Sequence, residues 1–129
     1  MRLISIVLIM FAAGEAGAAP LASLRLIEQN NSVTYRLLPG KTKQEAFLER
    51  TSGRKTKRTR ILAGLSRKIQ SDLTDLSWQI KYAKQPKLAS CKPTATIDVG
   101  VHEHATACAE SAGQLASVRH MATKLNRLM

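Results

Sequence analysis

Thr56 to Pro86 reads TKRTRILAGLSRKIQSDLTDLSWQIKYAKQP, and within it Leu62, Leu65, Ile69, Leu73, Leu76, Ile80 and Ala83 recur every three or four positions. Because an α-helix turns once in 3.6 residues, that spacing lines the apolar side chains along one helix face. Arg67, Lys68, Asp75 and Lys81 fall on the other face, and Pro86, which has no backbone N–H to donate, ends the run. A second stripe with the same spacing, Cys108, Ala112, Leu115, Val118, Ala122, Leu125 and Met129, predicts a C-terminal helix. Two such stripes bury most readily against each other. The sequence therefore predicts a mostly α fold, a small antiparallel helical pair or bundle, over residues 56–129.

Upstream of that domain the pattern is weaker. Residues 19–55 carry no sustained period and contain Asn30-Asn31 and Pro39-Gly40, which punctuate rather than build elements, so they read as a flexible leader. Within it, Leu24 to Ile27 and Val33 to Tyr35 can pair as a hairpin about the two asparagines, and Gln44 to Arg50 can form one or two helical turns. Between the two helical stripes, Thr96 to Val101 alternates polar with β-branched residues. It reads either as a short strand or as an extended connection.

The first 18 residues have the layout of a secretory signal peptide: a basic start at Arg2, an apolar run from Leu3 to Ala13, and the small residues Ala16-Gly17-Ala18. The run is well short of the roughly 20 residues that span a bilayer as a helix. Cleavage after Ala18 leaves a mature chain with no transmembrane segment. With 20 Lys plus Arg against 9 Asp plus Glu, the whole chain has a formal charge of +11. Such a charge draws a secreted protein to anionic partners, nucleic acid, phospholipid or acidic polysaccharide, without choosing among them. A chain of 129 residues holds one domain at most, which excludes large enzyme architectures.

The densest functional signal is cationic. Residues 50–68 contain eight basic side chains and no acidic one, and five of them, Arg54, Lys55, Lys57, Arg58 and Arg60, fall within seven positions. Tracts of this kind are read by nuclear import receptors or drawn to the phosphates of nucleic acid and lipid, and they also occur as solvated helix entrances. Cations at a helix N-terminus oppose the helix dipole, which argues that something besides helix stability keeps them there. Cys91 and Cys108 are the two cysteines, and in an oxidising export route an even pair is expected to bond. That bond stabilises a small domain by about 3 kcal/mol in the chain-entropy model.

Other constellations are weaker. His102 and His104 flank Glu103 and offer two imidazoles, but a third metal ligand would have to come from Asp98 or a cysteine, so they read as exposed loop residues. Trp78 and Tyr82, one turn apart, read as packing at the helix interface. No nucleophile, base and orienting group stand at a catalytic spacing, and no phosphate-cradling glycine loop is present. The expectation is a protein with no catalytic residue, no metal site and no cofactor.

The order of features adds one resemblance. After the signal peptide come Arg36-Leu37-Leu38-Pro39 and, further on, Leu48-Glu49-Arg50. This layout resembles the RxLR effectors secreted by oomycete plant pathogens, in which Arg-x-Leu-Arg is followed by an acidic Glu-Glu-Arg tract and a helical domain. Arg36 and Leu38 correspond to the first motif, with Pro39 in place of its second arginine, and Glu49 and Arg50 correspond to the end of the second. The resemblance implies export, entry into a host cell and interference with host defence by binding a host protein, with the basic tract directing the chain to the host nucleus or leaving it in the host cytoplasm. The competing expectation is a secreted or periplasmic basic protein that grips an anionic polymer or membrane surface. A third is a small extracellular structural or metal-binding module built on the cysteines and histidines.

Overall fold

The computed structural model describes residues 19–28, 31–82, 93–108 and 112–129. Strands β1 (Ala22–Glu28), β2 (Asn31–Pro39), β3 (Glu45–Ser52) and β4 (Lys55–Leu62) are followed by helix α1 (Ala63–Tyr82). Strands β5 (Pro93–Val99) and β6 (Glu103–Cys108) and helix α2 (Ala112–Arg127) complete the elements of the described residues. All six strands form one antiparallel sheet in the order β4-β3-β2-β1-β5-β6.

Period-2 alternation explains why the first strand stands where it does. In β1, Ala22, Leu24 and Leu26 are buried while Arg25 and Ile27 are exposed, since successive side chains leave a strand on opposite faces. The facing row of β2 supplies Val33, Tyr35 and Leu37, in register with Leu26, Leu24 and Ala22. Leu48 of β3, Ile61 of β4, Ile97 of β5 and Ala105 and Ala107 of β6 extend the same buried face. Two tight connections depend on glycine. Gly53, at φ 61°, opens the two-residue turn between Ser52 and Lys55, a conformation that costs other residues backbone strain. At Gly40 a Cβ would collide with the Glu45 carbonyl, so the β2–β3 connection closes only without one.

Both helices lie on this buried face and cross the strands. The Ala63 N–H donates to the Gln44 carbonyl at 2.9 Å beside β4, while Ser77 and Lys81 reach Glu103 at the opposite edge. A 20-residue helix is about 30 Å long, enough to traverse six strands spaced about 4.8 Å apart. Helix α2 returns antiparallel to α1: Gln114 donates to the Ile80 carbonyl, Lys124 pairs with Asp72 at 2.9 Å, and Lys57 of β4 donates to the Met129 carbonyl. Ile69, Leu73, Leu76 and Ile80 of α1 and Leu115, Val118, Met121, Ala122 and Leu125 of α2 are buried together with the sheet residues in one core.

The mostly α expectation is therefore overturned, and so is the flexible leader. The two amphipathic helices exist and run antiparallel, but their apolar stripes rest on a six-stranded sheet rather than mainly on each other. Residues expected to be a tether form β1, β2 and β3. Leu24 and Leu26 pair with Tyr35 and Val33 in a hairpin ladder, and Gln44 to Arg50 enters a strand rather than helical turns. Thr56 to Leu62 is an edge strand, not the first turns of a helix, which begins only at Ala63. Thr96 and Ile97 find the partner strands a lone strand would lack, in β1 and β6. Among the described residues no helix is long and apolar enough to cross a membrane. Residues 1–18, where a signal peptide is expected, and Ala83, Pro86 and Cys91 lie outside the described residues.

Leu62 separates the two architectures experimentally. It belongs to the helical stripe by spacing, yet it is 75 % exposed at the end of β4, whereas Leu73 is 2 % exposed. Leu73→Ala is expected to lower unfolding stability by about 2–5 kcal/mol, through lost burial and a residual cavity. Leu62→Ala should change it by less than about 0.5 kcal/mol. Urea unfolding of the two variants measures both.

Candidate functional site

Among the described residues no helix or strand covers the face of the sheet away from the two helices, and the register sorts part of the basic tract onto it. Thr56, Arg58, Arg60 and Leu62 share this open face, while Lys55, Lys57, Thr59 and Ile61 point to the helix side. Arg36, Glu49 and Arg58 stand in one row across β2, β3 and β4. Glu49 is 8 % exposed, receives the Arg58 guanidinium at 2.9 Å, and has the Arg36 Nε 3.9 Å away. Burial of a carboxylate is tolerated here because two guanidiniums cover it. Beside this row Arg60 pairs with Glu45 at 3.6 Å, and the Arg58 guanidinium lies 5.5 Å from the centre of the Phe47 ring.

The five cations of the tract are therefore not equivalent. Arg58 and Arg60 are engaged by Glu49 and Glu45, and Lys57 by the Met129 carbonyl. Arg54 at the tip of the β3–β4 turn and Lys55 beside it are exposed and make no ion pair among the described residues. At the other end of β4 the fold brings together charges that lie apart in sequence. Lys41 and Lys43 of the β2–β3 connection and Arg67 of α1 line a notch of about 390 Å³ with Glu45, Ser66 and Gln70. The two lysines were not singled out from the sequence, where Lys41-Thr42-Lys43 is an ordinary polar loop. Their proximity to Arg67 arises because α1 starts directly at the end of β4.

The motif-like residues sit in the ladder. Arg36 is exposed on the open face, Leu38 is 8 % exposed, Glu49 is covered as described, and Arg50 turns to the helix side opposite Tyr35 and Lys57. Cys108 is buried at the end of β6 and is not a free thiol, and its expected partner Cys91 lies outside the described residues. The histidines diverge. His102 occupies the exposed β5–β6 turn, whereas His104 pairs with Asp98 on the open face through its Nδ1. Among the described residues no group of three or more His, Cys, Asp or Glu side chains is placed to hold a metal ion. Trp78 and Tyr82 are 51 % and 69 % exposed with ring centres 4.9 Å apart and planes tilted by 41°, so they meet each other at the surface rather than in the helix interface.

Comparison of the chain with family models, curated proteins and solved structures gives no match.

Glu103, at the start of β6, ties that edge to α1. Hydrogen bonding from Lys81 holds its carboxyl below the ordinary carboxylate range, helped by the Lys81 charge and by hydrogen bonds from Ser77 and Trp78, with partial desolvation opposing them. A carboxyl that is more acidic folded than unfolded stabilises the fold fully above its unfolded pKa and loses that effect as pH falls through the folded one. The wild type is accordingly expected to melt at a higher temperature than Glu103→Gln at neutral pH. The difference should shrink towards zero on acidification through the carboxylate range, as followed by thermal unfolding at a series of pH values.

Proposed function

We propose that this chain is a secreted, non-enzymatic binding protein that holds an anionic polymer along the β4 edge of its sheet. The observation that carries this reading is the placement of cations on both sides and at both ends of one exposed strand. Arg54 and Lys55 mark one end, Lys41, Lys43 and Arg67 the other, and Arg58 and Arg60 the open face between them. Eight residues of strand extend about 26 Å, so the row suits a linear polyanion better than a point ligand. The partial neutralisation of Arg58 and Arg60 by Glu49 and Glu45 holds those two guanidiniums in fixed positions. The free lysines and Arg54 supply the net field.

A second reading remains a proposal of its own, in which the chain is a host-directed effector and the same tract is a nuclear address. In its favour, residues 54–58 and Arg60 are exposed, as capture by an import carrier requires. Arg36, Leu38, Glu49 and Arg50 lend it less, because they are built into paired strands rather than offered as a linear segment.

Replacing Arg54, Lys55, Lys57, Arg58 and Arg60 together by Gln should abolish the binding of the mature chain to a sulfated polysaccharide, a single-stranded oligonucleotide or both. The wild-type affinity should fall linearly with salt on a logarithmic plot. Circular dichroism must show the fold retained. Binding that survives the substitution removes the β4 edge as the site. A tagged chain expressed in plant cells tests the second reading, which requires nuclear accumulation that the same substitution abolishes.

A further inference from the structure

Arg50 does not belong to the surface just described. It follows Ala46 and Leu48 in the helix-facing row of β3, before Ser52, and is half-buried beside α2. Its Nε is buried and without a hydrogen-bond partner, and its guanidinium makes no ion pair among the described residues. Placing a cation on the apolar side of a sheet is costly unless an anion meets it there. The neighbouring cation on that face, Lys57, already donates to the Met129 carbonyl.

The space in front of Arg50 is a notch of about 340 Å³ between β1, β2, β3 and α2. Its walls are of two kinds. Leu26 and Val33 form an apolar side, with Ala122 of α2 beside them, and Tyr35, Thr123 and Asn126 offer hydroxyl and amide groups. Arg119 also lines it, and among the described lining residues there is no acidic side chain.

We propose that this notch binds a small amphipathic carboxylate, its head group on the Arg50 guanidinium and its hydrocarbon portion against Leu26 and Val33. The planar guanidinium matches a carboxylate with two parallel N–H donors. Arg119 is exposed at the rim, and a monoanion suits the half-buried Arg50 better than a phosphate dianion, whose desolvation is heavier, while the apolar wall has no use for an inorganic ion. The site is separate from the β4 polyanion surface, because Arg50 faces the helices while Arg58 and Arg60 face away from them.

The test is calorimetric titration of the mature chain with octanoate, with octanol and inorganic phosphate as parallel probes. Octanoate is expected to bind saturably at one site, and octanol and phosphate at least about tenfold more weakly, since each lacks one half of the match. Arg50→Met should weaken octanoate by at least about tenfold, whereas Arg58→Gln on the open face should leave it unchanged. Asn126→Trp, at an exposed position on the notch rim, should block it without touching the sheet, which keeps the test decisive if Arg50→Met unfolds. Absence of saturable octanoate binding, equal affinity for phosphate, or octanoate affinity indifferent to both Arg50→Met and Asn126→Trp would overturn the proposal.

Discussion

The antiparallel ladder between β1 and β5 joins two parts of the chain that otherwise share only helices. On one side of β1 stands the meander β2-β3-β4, built from consecutive hairpins, and on the other stands β5-β6, reached only after α1 has crossed the sheet. Leu24 and Ile97, paired in that ladder, are both fully buried. Without it, neither half offers a platform wide enough for a 20-residue helix, and the apolar stripes of α1 and α2 would lack most of their burial. Gly100 adds to the joint by donating its N–H to the Leu21 carbonyl at 3.0 Å.

Among the described residues the helices cover one face of the sheet only, and this assigns chemistry to position. A side chain that falls on the helix side must be apolar, small or matched, while one on the open side is free to carry charge. The cationic tract obeys this rule only in part. Arg58 and Arg60 take the open side and organise Glu49 and Glu45, whereas Lys57, on the helix side, satisfies its ammonium at the end of α2. Arg50 is the residue that departs furthest from the rule, since it stands on the covered side with its Nε unmatched.

The helices were legible in the sequence because a stripe repeated over five turns is hard to produce by accident, and Ile69, Leu73, Leu76 and Ile80 are all core. The hairpin of β1 and β2 was visible only as an option within the leader, from the apolar pieces Leu24 to Ile27 and Val33 to Tyr35 on either side of the asparagines. β3 and β4 were not. In β3 the inward row includes Arg50 and Ser52, and in β4 lysines occupy the helix side while arginines occupy the other, so charge on both faces erases the period of two. Leu62 then completed a false helical stripe across the junction with Ala63. Of the candidate surface, the tract 54–60 was evident as composition, but its alignment with Lys41, Lys43 and Arg67 required the sheet order, which no local spacing encodes.

The ladder of β4 fixes one more property. Since Ala63 and Gln44 are joined by a main-chain hydrogen bond, alternate residues Ile61, Thr59, Lys57 and Lys55 turn their amides inward to β3. Thr56, Arg58 and Arg60 therefore turn their N–H and C=O groups outward, where no strand of the described residues pairs with them. An edge of this kind invites a second copy to pair with it, and like charge is the usual guard against that. The same cations that would hold a polyanion thus keep the copies of this protein apart. A polymer lying along β4 neutralises that charge but covers the strand as well, so the copies left open to edge-to-edge pairing are those whose cations are screened by small ions at high salt with no polymer bound.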